Sequence, residues 1–127
     1  MLLKMSLKGG LMILINKVII EALSPLKIPV CFQKYSGGRY EYITFHEYFQ
    51  NGETFEDDDE ALTGHYIQVD VWSKGDYSNL VIQVKRLLSK KNFIRINEID
   101  LYEEENRLYH KGLKFYYLEN KEEVQDD

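Results

Sequence analysis

LTGHYIQVDVWSKGDYSNLVIQVKRLL, residues 62–88, changes its period once, and that change decides the fold. From Tyr66 to Trp72 the residues Tyr66, Gln68, Asp70 and Trp72 alternate with Ile67, Val69 and Val71, the two-residue period of a strand. Beyond the Lys74-Gly75-Asp76 turn the apolar positions move to three- and four-residue spacing. Tyr77, Leu80, Val81, Val84, Leu87 and Leu88 share one side of a helix, while Ser78, Asn79, Gln83, Lys85 and Arg86 face outward. Asp76 stands where an N-cap is needed. The stretch holds no nucleophile, base or phosphate loop, so it speaks of architecture and assembly.

The flanks extend the pattern. Ile15, Val18, Ile19 and Leu23 mark a first helix over residues 12–24, closed by Pro25, whose ring cannot continue the hydrogen-bond ladder. Residues 28–35 read as a short strand, Ser36-Gly37-Gly38 as a hairpin turn, and residues 40–50 as a second strand whose two faces are both partly apolar. Residues 51–61 read as a long acidic loop. Residues 93–102 read as a strand with a turn near Asn97 and Glu98, and residues 108–118 as the last strand, paired with it across the polar turn 103–106. The expected order is α-β-β-β-α-β-β: an α+β fold, with a mostly antiparallel sheet and helices packed on one face.

At 127 residues the chain is expected to form one domain over residues 12–118, with an extension over residues 1–11 and an acidic tail over 119–127. The leading MLLKMSLKGGLMILINKVII superficially suggests a secretion signal. Gly9 and Gly10 split its apolar run, no small-residue cleavage pattern follows, and it falls short of the roughly 20 residues that span a bilayer; no membrane association is expected, and Met12 is an alternative start. The single cysteine, Cys31, fits a buried apolar thiol in a reducing compartment.

The net charge of −5 is unevenly spread. Residues 53–60 hold six acidic residues and no basic one, and residues 119–127 hold five against Lys121; together they carry −10, leaving +5 on the remainder. Those positive charges are interspersed with negative ones, which argues against a dedicated nucleic-acid surface. The acidic loop residues Glu53, Glu56, Asp57, Asp58, Asp59 and Glu60 fit a solvated segment, or one that lines a channel or docks on a basic partner. Their spacing is wrong for a helix-loop-helix calcium site.

Residues that could carry chemistry are few and scattered. His46, His65 and His110 fall on three different expected strands without the close spacing of a local metal motif. Cys31 with a histidine lacks a third, orienting group. Gly37-Gly38-Arg39 is too short for a phosphate loop and sits between strands. Trp72 and Tyr77 have no basic stripe beside them for stacking on bases. No catalytic residue, metal site or cofactor is expected. Ten tyrosines and six phenylalanines make the chain unusually aromatic, a composition that suits strands and interfaces.

The pattern HYIQVDVWSKGDYSNLVIQVKRLL, followed by the strand pair ending YHKGLKFYYLEN, resembles the tail completion, or tail terminator, family of long-tailed phages and prophages. The resemblance covers residues 28–118 and is most characteristic at Val69-Asp70-Val71-Trp72-Ser73 and the helix beginning near Tyr77. The acidic segment 53–60 and the acidic tail have no counterpart that can be mapped from it. It implies a structural virion protein: a hexameric ring of identical subunits at the head-proximal end of the tail, assembled in the bacterial host cytoplasm. Such a ring ends growth of the tube and meets the tail tube protein and a head-completion or neck protein, with a sheath protein as a further partner in a contractile tail. DNA passes through without specific binding, and an acidic lumen would repel its phosphates. A closed ring joins two unlike patches of each subunit, so apolar surface is expected beyond one core; Tyr42, Tyr48, Tyr66, Trp72, Tyr116 and Tyr117 are the candidate interface residues. The alternatives are another neck component, such as a head-closure or connector protein, and a small acidic inhibitor or binding module of a host protein.

Overall fold

A computed structural model of the chain describes residues 14–52 and 62–120. Among these residues the chain forms an α+β fold with two helices and a five-stranded sheet. Helix α1 (Leu14–Leu23) runs into a 3-10 turn at Ser24–Leu26 that contains Pro25. Strands β1 (Val30–Phe32), β2 (Tyr42–Gly52) and β3 (Leu62–Ser73) follow, then helix α2 (Ser78–Lys90), β4 (Ile94–Glu103) and β5 (Leu108–Asn120). The strand order across the sheet is β1-β2-β3-β5-β4.

The period change at residues 62–88 gives the expected result. Ile67, Val69 and Val71 are fully buried on one face of β3, opposite Phe115, Leu113 and Lys111 of β5. Leu80, Val81, Val84 and Leu88 of α2 pack on that face with Ile15, Ile19, Ala22 and Leu23 of α1, and Ile43 and Phe45 of β2 complete the core. A buried Leu, Ile, Val or Phe contributes about 1.5–3 kcal/mol each, so this one layer supplies the main driving force for folding. Asp76 acts one position earlier than expected: Tyr77 occupies the cap, and Asp76 Oδ1 accepts from the Ser78 amide at 2.9 Å and the Ser78 hydroxyl at 2.7 Å. Those two bonds hold the Asp76 carboxyl below its usual range.

Two expectations need correction. Ser36-Gly37-Gly38 is not a hairpin turn, because β1 runs parallel to β2, with Val30 opposite Ile43 and Phe32 opposite Phe45. Parallel neighbours ordinarily need a dozen linking residues or more. Here β1 is three residues long, so the chain has only about 10 Å to retrace. The chain turns back at once at Gln33, whose φ is 69°, and the Tyr35 hydroxyl accepts from the Arg39 amide at 2.9 Å. Gly37 is required there because a Cβ would run into the Tyr35 ring. Likewise there is no turn at Asn97 and Glu98. A β-bulge between Arg95 and Asn97 absorbs Ile96, and β4 continues to Glu103. Cys31 is only partly buried, since β1 is an edge strand.

Candidate functional site

Because both helices sit on one face, the other face of the sheet has neither helix above it. Alternation places Tyr42, Thr44 and His46 of β2, Tyr66, Gln68, Asp70 and Trp72 of β3, and His110, Gly112, Lys114 and Tyr116 of β5 on this second face. They form cross-strand rows. In one, Tyr35, Tyr42, Trp72 and His110 succeed each other with ring centroids 4.4, 5.7 and 3.9 Å apart, the last two pairs stacked. In another, Phe49 and Tyr116 flank Tyr66 at 5.4 and 5.0 Å, Tyr48 meets Tyr66 edge-on, and the Lys114 ammonium lies 4.8 Å over the Tyr48 ring.

Between the rows lies a polar knot. Asp70 is buried, and its Oδ1 accepts from Gln68 Nε2 at 2.8 Å and meets His110 Nε2 at 2.7 Å. Trp72 Nε1 donates to Thr44 Oγ1 at 3.0 Å. Gly112 passes directly opposite Asp70 in the register. Aromatic side chains therefore stand on a face whose centre is fixed by satisfied hydrogen bonds, which locks their positions.

Five of the six candidate interface residues, Tyr42, Tyr48, Tyr66, Trp72 and Tyr116, belong to this face. Tyr117 does not. Its ring faces the helices, partly buried against the core and stacked on Phe93 at 4.5 Å, because residues 113, 115 and 117 share the core side of β5. The acidic residues Glu53, Glu56, Asp57, Asp58, Asp59 and Glu60 lie outside the described residues.

The second face continues onto β4, the outer edge of the sheet, where Ile94, Ile99 and Leu101 stand opposite Tyr116, Gly112 and His110. Ile94, Ile99 and Leu101 are 62, 55 and 45% exposed, an unusual load for an edge strand that carries no proline or lysine. On the core side β4 is tied down by charge. Glu98 bridges Lys85 of α2, Lys111 of β5 and Arg95 at 3.0–3.2 Å, and Asp100 accepts from the Tyr77 hydroxyl at 2.6 Å. Burial and the Asp100 carboxylate push the Tyr77 phenol up to about 12.

The three histidines do lie on three strands, in three settings. His46 is half-buried on the second face, His110 joins the polar knot, and His65 is a buried residue on the core side between Glu47 and Glu119. Sequence reading missed that last grouping, for its members are 18 and 54 residues apart. Among the described residues no group of His, Cys, Asp or Glu is arranged to hold a metal ion, and no helix is long and apolar enough to cross a membrane. No family model matches the chain, and no curated protein matches it.

Proposed function

We propose that this chain is a structural subunit that assembles into a closed ring, and that the ring is the terminator at the head-proximal end of a phage tail. The observation that supports the assembly reading is the apolar load on the uncovered face of the sheet, which runs from the aromatic rows of β2, β3 and β5 out to Ile94, Ile99 and Leu101 beside the unpaired backbone edge of β4. A monomer with one core needs no such apolar face. A two-fold dimer uses one patch twice, whereas a ring joins one patch to a different one and closes when the rotation allows. The tail-terminator part of the reading rests on the resemblance at residues 69–73 and the helix beginning near Tyr77. The role is one of shape and docking, with no reaction assigned to it.

The partners that follow are copies of this chain, the tail tube protein below the ring and a head-completion or neck protein above it. The full chain is expected to give a six-chain mass by native mass spectrometry and a ring in negative-stain images. Tails made without it are expected to be overlong. A protein that stays monomeric at high concentration, with tails of normal length in its absence, would overturn the proposal.

A further inference from the structure

His65 is 3% exposed, and both of its ring nitrogens meet carboxylates: Nδ1 lies 2.5 Å from Glu47 Oε2, and Nε2 lies 2.8 Å from Glu119 Oε1. A carboxylate only accepts hydrogen bonds, so the ring can donate to both at once only with a proton on each nitrogen, as the imidazolium. Glu47 belongs to β2, His65 to β3 and Glu119 to β5, so the three groups cross three adjacent strands. They sit at the end of the sheet where β2 gives way to the acidic residues 53–60 and β5 to the acidic residues 121–127.

We propose that Glu47, His65 and Glu119 form a proton-operated clasp that fastens the end of β5 to β2 across β3. With two ring protons the clasp holds both carboxylates; with one it releases one of them. The carboxylate released is that of Glu119. Glu47 also accepts from Gln50 Nε2 at 3.2 and 3.3 Å and lies mid-strand, whereas Glu119 is the penultimate residue of β5, and among the described residues its carboxylate is held by this ring.

The surroundings favour such a device. Across the strands His65 stands opposite Gln50 of β2 and Tyr117 of β5, whose ring is 6.3 Å away, and Thr63 and Ile67 are its neighbours on its own side of β3. Phe93 stands behind Tyr117. No described cation takes part, so the histidine proton is the charge that reconciles two carboxylates at one place. Burial favours the neutral ring, and the hydrogen bonds and charges of Glu119 and Glu47 outweigh it, leaving His65 above the ordinary histidine value. The sign follows from linkage. A group whose folded value is raised contributes its stability in full below the unfolded value of about 6.5 and loses it as pH rises through the folded value.

The test is a ring-nitrogen NMR titration of the full chain, with amide exchange followed in parallel. Below the midpoint both ring nitrogens of His65 are expected to carry hydrogen, and the midpoint is expected above 6.5. Protection of the Leu118, Glu119 and Asn120 amides, corrected for the intrinsic rate, should fall at least several-fold across that midpoint, while Leu113 and Phe115 stay protected. Glu119→Gln should lower the midpoint and abolish the pH-dependent step in protection at the end of β5. His65→Gln should abolish the same step, and if it fails to fold, Glu119→Gln alone decides the matter. A neutral His65 ring at pH 6 would overturn the clasp, and so would protection at the end of β5 that does not change across the midpoint.

Discussion

One missing methyl group at Gly112 sets the geometry of the second face. A Cβ there would lie 3.3 Å from Asp70 Oδ1, 3.4 Å from Ile99 Cγ2 and 3.5 Å from Gln68 Nε2, tight against a carboxylate already engaged by Gln68 and His110. Glycine in a strand costs roughly 0.5–1 kcal/mol relative to alanine, so Gly112→Ala would stabilise an open site. Here crowding of a satisfied polar knot, typically about 1–3 kcal/mol, outweighs that gain. The expected result is a net loss of about 1 kcal/mol in urea unfolding, accompanied by a shift of the His110 ring signals; a variant as stable as the parent would show that the knot yields freely. None of this could be read from the chain. Ile67, Val69 and Val71 announced themselves by alternation, since a strand's period is local. Asp70 and His110 are 40 residues apart, and only the register of β3 on β5 makes them neighbours.

At the level of elements, what was legible depended on the length of the periodic signal. Strand β3 and helix α2 are long and regular, and both were found with the correct buried faces. The first strand offered too few residues for its direction to show, and two glycines after it were read as a hairpin, when one of them makes room for the Tyr35 ring over a parallel return. The bulge at Ile96 broke the period of β4 in the same way and imitated a turn. That bulge leaves β4 a long edge with Ile94, Ile99 and Leu101 exposed. Natural edge strands of this kind are blunted by lysine or covered by a neighbour. Placing lysine at both Ile99 and Leu101 is therefore expected to weaken self-association at least tenfold in sedimentation equilibrium. The thermal midpoint at dilution should stay close to that of the parent, because exposed substitutions usually fall within about 0.5 kcal/mol. Unchanged association would remove β4 from the contact.

For the whole molecule, charge and shape act against each other once copies meet. Each chain carries −6 over residues 53–60 and −4 over residues 119–127, on a body of +5. Strands β2 and β5 both end at the His65 end of the sheet, so in the proposed ring of identical subunits the acidic stretches of every copy would begin at one level. In that ring the apolar faces would draw the subunits together, and the like charges of these segments would oppose it. Repulsion between solvated charges is screened over about 10 Å at 0.1 M salt and about 3 Å at 1 M, while association through aromatic surface is not weakened by salt. Raising the salt from about 0.05 to 0.5 M should therefore strengthen assembly, the reverse of what an interface built on salt bridges would do. Replacing Asp57, Asp58 and Asp59 together by asparagine removes half of the loop's charge, and should both tighten the ring at low salt and flatten its salt dependence. In infectious particles the same variant should slow or stall passage of DNA if the loop lines the lumen, because the repulsion that keeps phosphates off the wall is reduced. Assembly that weakens as salt rises would show that oppositely charged contacts hold the copies together. A triple variant with unaltered assembly and unaltered DNA passage would place the acidic loop away from both the interface and the channel.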